Sequence, residues 1–89
     1  MLQMTRVVHI KQPHDVYIGR PSIFGNPFKL KRGVPRSEAI ERYREWFMER
    51  VETDSAFATA VHGLRGQRLA CWCSPKPCHG DVIAAWLDK

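Results

Sequence analysis

What the sequence lacks narrows it first. It holds no run of about 18 apolar residues, the length a helix needs to cross a bilayer, so no membrane span is expected. Its N-terminal stretch has neither the apolar segment nor the small-residue cleavage site of a secretory signal, which argues against export. Cysteine is scarce and odd in number: Cys71, Cys73 and Cys78 are all there are. Two of the three stand in a Cys-x-Cys arrangement that makes a poor local disulfide, so a reducing, cytoplasmic home is expected rather than a disulfide scaffold. Repeats, low-complexity tracts and the Walker and Rossmann fingerprints are all missing. Acidic residues are outnumbered nine to fourteen by Lys and Arg, a net charge of +5 that favours anionic partners: nucleic acid, a nucleotide or another phosphorylated molecule. The basic residues are dispersed, and only Lys29-Leu30-Lys31-Arg32 forms a short run.

What is present points to one domain spanning residues 1–89. A hydrophobic content of 44%, with three Trp, four Phe and two Tyr, is enough to close a core. A core this small leaves little surplus stability, so a structural metal or self-association would be a natural supplement. Arg6 to Ile10 is rich in β-branched residues and reads as a strand; after a Pro13-His14-Asp15 turn, Val16 to Ile18 reads as a second. From Ser37 to Val51, Ile40, Tyr43, Phe47 and Val51 recur at helical spacing, with Ser37 as the candidate N-cap and Glu38 suited to the helix dipole. Asp54 can cap a shorter helix that places Phe57 and Val61 inward and stops at Gly63. Arg68 to Cys73 is a nearly unbroken apolar run of the kind expected of a central strand, and Gly80-Asp81 opens a last helix carrying Val82, Ile83, Trp86 and Leu87. The order predicts an α/β fold, a small layered domain with a three- or four-stranded sheet packed with about three helices.

The stretch from Leu69 to Asp81 holds every cysteine and one of the four histidines. Residues two apart on a strand share a face, so Cys71 and Cys73 lie side by side while Trp72 faces away. Three uses are open. Cys71, Cys73, Cys78 and His79 form a Cys₃His set chemically suited to zinc, although adjacent Cys78 and His79 reach one ion awkwardly. Alternatively, Pro77 and Gly80 place Cys78 and His79 at a helix N-terminus, where free amide groups favour a thiolate or a bound anion, and His79 or Asp81 can handle a proton. The third use is packing, which suits Cys71 best because it lies mid-run. Asp81 has an equally good bland reading as a first-turn carboxylate on the helix dipole.

A second candidate lies at the end of the second strand. Gly19, Arg20, Ser22, Gly25 and Asn26 belong to a Gly/Pro-rich loop, where glycines allow close backbone approach, Arg20 offers a fork for phosphate and Asn26 can read a base or ribose. A loop closed by Phe24 and Phe28, with Arg20 bonding backbone carbonyls, explains the same residues. His9, His14 and His62 have no informative neighbours.

Tyr17 to Ser22, Gly25-Asn26-Pro27-Phe28, the helix with Ala39, Ile40 and Tyr43, and Leu69 through Asp81 together resemble the phage and bacterial family called domain of unknown function 4326. Its Gly-Arg-Pro-Ser, Gly-Asn-Pro-Phe and Cys-Trp-Cys-x-Pro-x-x-Cys-His-Gly-Asp segments are all here, with Ile23-Phe24 where many members carry a Trp before the glycine. The resemblance implies no reaction. It does imply that Arg20, Asn26, Cys73, Cys78, His79 and Asp81 share one site, in a protein of phage or mobile-element origin acting in a bacterial cytoplasm.

Two functions are expected. The leading one is that of a small cytosolic protein that binds a phosphorylated, nucleotide-like molecule between the Gly19–Phe28 loop and the helix mouth, and hydrolyses it or transfers a group from it if it turns it over. Arg20 would hold the anion and Asn26 orient the ligand, Cys78 would be nucleophile or polar contact, and His79 with Asp81 would manage protons, with no cofactor required. The alternative is a zinc-stabilised module that engages nucleic acid through Lys29–Arg32, or engages protein, with Cys71, Cys73, Cys78 and His79 as ligands.

Overall fold

The computed structural model describes residues 4–28 and 31–89. Two short strands, β1 (Arg6–His9) and β2 (Val16–Tyr17), precede α1 (Arg36–Thr53) and α2 (Ser55–His62); β3 (Arg68–Cys71) and α3 (His79–Leu87) complete the chain. The strands form one sheet in the order β1-β3-β2, and both outer strands run parallel to β3. This is the small α/β arrangement expected from the sequence, with three strands and three helices among the described residues.

β3 is central because its residues tolerate burial on both faces. Leu69, Ala70 and Cys71 are each at most 1% exposed, the environment a parallel strand meets when neighbours and helices enclose it. The link from β1 to β2 is unusually short. Ile10 N donates to Cys71 O at 3.0 Å and Asp15 N to Arg68 O at 2.9 Å, so the chain returns from the end of β3 to its start between these residues. Parallel crossovers ordinarily need a dozen or more residues and a helix; strands this short shorten the return. Asp15 secures it by accepting from Arg68 N at 2.8 Å and pairing with the Arg68 guanidinium, which holds the carboxyl below the usual carboxylate range.

α1 buries Ala39, Tyr43 and Phe47 at four-residue spacing. Its N-cap is Pro35 rather than Ser37. Proline holds extended backbone there, at φ −62° and ψ 147°, and the helix starts one residue later, at Arg36. Asp54 caps α2 as expected, Oδ1 accepting from Phe57 N at 3.1 Å. α3 lies against β1 and β3, α1 packs on α3, and α2 packs on α1. Gly80 sets the closeness of that first contact: a Cβ there would stand 2.8 Å from Ile18 Cδ1 and 3.0 Å from Val7 Cγ1. Behind it the helices enclose a ring cluster in which Phe47 meets Tyr43, Phe57 and Trp86 at centroid distances of 5.9, 5.9 and 5.8 Å.

Candidate functional site

Parallel strands lead their downstream segments to one end of the sheet, and here both candidate segments arrive there. β2 runs into Gly19 and Arg20, while β3 ends at Cys71 and runs into Trp72 and Cys73. The first turns of α1 and α3 close over the same end. Between them lies a cavity of about 340 Å³ bordered by Gly19, Arg20, Asn26, Cys71, Cys73, Cys78 and His79. Its remaining walls include Tyr17, Phe28, Arg36 and Trp72.

The thiols occupy its floor. Cys71 and Cys78 are 1% and 3% exposed, and their sulfurs stand 3.1 Å apart. Cys71 is therefore both the packing residue expected of a mid-run cysteine and a wall of the cavity. Either sulfur can donate in this contact; the partnership with Cys78 favours the Cys71 thiolate, against the opposing effect of burial and with help from the Ser74 and Cys73 amides. The same partnership, with burial, pushes Cys78 up. The two sulfurs therefore titrate as a pair, the first proton leaving more readily than the second. Cys73 lies beyond the strand end and half-buried, its sulfur accepting from Arg36 Nη1 at 3.1 Å.

Cys78 is the N-cap of α3, and its N–H donates to Asp81 Oδ2 at 3.1 Å. Asp81 is thus engaged in capping and does not border the cavity. His79 Nε2 lies 2.8 Å from Ile18 O; because a carbonyl only accepts, the ring N–H donates. Its edge meets the Tyr43 ring at 5.1 Å. Burial lowers the His79 pKa against the opposing Ile18 bond, and the Arg20 charge lowers it further, so the ring is neutral at physiological pH.

The loop is braced as much as it is open. Tyr17 Oη donates to Arg20 O at 2.8 Å, and Tyr43 Oη to Phe24 O at 2.9 Å. Asn26 Oδ1 accepts from Phe28 N at 2.8 Å, while its Nδ2 reaches Ala39 O at 3.4 Å, so this side chain ties the loop to α1. Gly19 has no room for a Cβ beside the Tyr17 ring, and at Gly25 a Cβ would lie 2.9 Å from Arg20 Cγ. Gly25 therefore supports Arg20 from behind rather than bordering the cavity. Ser22 also lies off the cavity, its hydroxyl buried with no partner among the described residues.

The four zinc candidates do not converge. Cys71 and Cys78 face each other, but Cys73 turns to Arg36 and His79 to Ile18 O. Among the described residues no three His, Cys, Asp or Glu side chains are grouped to hold a metal ion. Of the basic run, Lys29 and Leu30 lie outside the described residues, while Lys31 and Arg32 are exposed and do not border this cavity.

Arg36 and Trp72 are cavity residues that sequence reasoning left aside. Arg36 stands in the first turn of α1, where a cation opposes the helix dipole; that misplacement was the one available signal. The strand ends at Cys71, so the alternation expected to turn Trp72 away from Cys71 and Cys73 does not extend to it, and all three residues border the same cavity. Trp72 is 62% exposed and edge-on to His9 at 6.0 Å.

A family model described as Domain of unknown function (DUF4326) matches residues 2–89. The chain is also similar to the uncharacterized 12.4 kDa protein of the nrdA-td intergenic region of Enterobacteria phage T4: 40% identical over 88 residues, covering 98% of this chain and 81% of the phage protein. No solved structure matches it. Among the described residues, no helix is long and apolar enough to cross a membrane.

Proposed function

The chain belongs to the family described as Domain of unknown function (DUF4326), and we propose that it binds a phosphorylated, nucleotide-like small molecule in the cavity at the end of β2 and β3. One observation carries the reading. Two arginines, Arg20 and Arg36, and an exposed Trp72 border a single cavity of about 340 Å³, within the range of roughly 300–1,000 Å³ typical of small-molecule sites. Guanidinium groups suit phosphate oxygens, and an exposed indole offers a face on which a base can stack. The neutral His79 adds no repulsion toward a base. Asn26 supports the loop from α1 and leaves recognition to the arginines and rings. If the ligand is turned over, hydrolysis or group transfer is the reaction class the thiol pair and His79 would serve.

The test compares nucleoside mono-, di- and triphosphates with unphosphorylated nucleosides, by calorimetry and by quenching of Trp fluorescence. Saturable binding of the phosphorylated series is expected, with nucleosides far weaker. Arg20→Ala should weaken it about tenfold, the cost of about one charge-assisted hydrogen bond, while folding stability moves by less than about 1 kcal/mol, as for other exposed side chains. Binding indifferent to the phosphate would refute the reading. So would an Arg20→Ala protein that is strongly destabilised yet binds normally.

A further inference from the structure

We propose that Cys71 and Cys78 are a redox-active dithiol that exchanges with low-molecular-weight disulfides entering through the cavity, and that Cys73 takes no part. Such exchange is a separate activity from ligand binding and does not depend on it.

Geometry favours this pair before chemistry does. The two sulfurs are 3.1 Å apart, and the elements that present them are rigid: the last residue of a central strand and the N-cap of a helix packed on that strand's sheet. The intervening turn is held by Lys76 N donating to Cys73 O at 2.8 Å and by Ser74 Oγ donating to Val7 O at 3.3 Å. Both sulfurs are nearly inaccessible from the general surface, yet both border the same cavity. Reagents are thus admitted by size. Cys73 is the more exposed thiol, but its sulfur contacts Arg36 and has no thiol partner with which to close a disulfide, whereas Cys71 and Cys78 have each other. Local chemistry supports the pairing, since hydrogen bonds from the Cys78 thiol and from backbone amides favour the thiolate of Cys71, the form that attacks.

The exchange balances without an additional oxidant. Cys71 thiolate attacks one sulfur of a small disulfide, forming a mixed disulfide and expelling one thiolate. Cys78 then loses its proton to solvent and attacks Cys71 Sγ, which closes the intramolecular disulfide and expels the second thiolate. Those thiolates take up the two protons shed by the cysteines, so a dithiol and a disulfide become a disulfide and two thiols. The small disulfide is the species reduced.

The test treats reduced, folded protein with hydroxyethyl disulfide under anaerobic conditions, alkylates remaining thiols and maps the peptides by mass. Two equivalents of mercaptoethanol per chain should be released, with Cys71 linked to Cys78 and Cys73 alkylated. Cys73→Ser should behave identically, whereas Cys71→Ser and Cys78→Ser should release no more than one equivalent. A mixed disulfide at Cys73 alone, any other cysteine pairing, loss of the reaction in Cys73→Ser, or no reaction in the folded protein overturns the proposal. Should the Cys71 and Cys78 variants fail to fold, peptide mapping of the unaltered chain and of Cys73→Ser still decides it. Nucleotide binding is read separately, so either idea can fail alone.

Discussion

Between α1, α2 and α3 the buried side chains are apolar, a cluster of rings among aliphatic groups; at the end of β2 and β3 they are thiols and a histidine beside an open cavity. In the first region Phe47 meets three aromatic neighbours and is fully buried, and no polar atom of its side chain asks for a partner. In the second, nearly every polar group is held by a specific one: Cys78 by Cys71 and Asp81, His79 by Ile18 O, Cys73 by Arg36. Hydrophobic contact is non-directional and tolerates many arrangements of similar volume. A buried polar group is costly unless its partner stands at the right distance and angle. The helical side therefore makes the domain stable, while the cavity end spends part of the buried surface on groups that packing alone does not explain.

The sharpest way to break this comparison is Phe47→Ala. Removing a fully buried ring should cost about 3–5 kcal/mol, seen as a large shift in the denaturation midpoint. If the two regions are separate in role, whatever fraction remains folded should bind ligand and exchange thiols as before. Gly80→Ala comes next, at about 1–3 kcal/mol for forcing a methyl group into a packed contact. Because Gly80 joins α3 to Val7 and Ile18, this variant should disturb both regions together. Unaltered stability would mean that α3 can lift from the sheet at little cost.

The smallest effect concerns His79. Its folded-state pKa lies below the ordinary value of 6.5, chiefly through burial. Above that value the ring is neutral in both states and its contribution to stability is complete. As pH falls below it, the unfolded chain takes up a proton that the native ring refuses, and stability declines until the native pKa is reached. Denaturant unfolding followed between about pH 5 and 7 should show this decline, and His79→Gln should flatten it. An equal slope in the variant would assign the acid sensitivity to other groups.

Much of the fold was legible because it depends on patterns local to the chain. Helical spacing identified Tyr43 and Phe47, Asp54 identified its own cap, and the apolar run from Arg68 to Cys73 identified a central strand, which ends two residues sooner, at Cys71. Ser37 misled because proline, three residues upstream of Glu38, sets the extended backbone from which the helix starts. Gly19, Arg20, Asn26, Cys71, Cys73, Cys78 and His79 were singled out and border one cavity, Arg36 and Trp72 were missed, and Asp81, Ser22 and Gly25 were singled out with the rest and do not border it. Asp81 illustrates why. The same first-turn carboxylate serves a helix cap or a reaction, and only the position of its oxygens distinguishes the two.

By itself the sequence determined the succession of elements, the α/β class, the excess of positive charge and the family, since each comes from residue order, residue type or a match along the chain. Only the tertiary structure decided that Arg36 meets Cys73, that Cys71 pairs with Cys78 while Cys73 does not, and that Asn26 braces a loop. Those contacts join residues from different elements through side-chain directions. Such directions are set by how the helices settle on the sheet, at distances no spacing along the chain encodes.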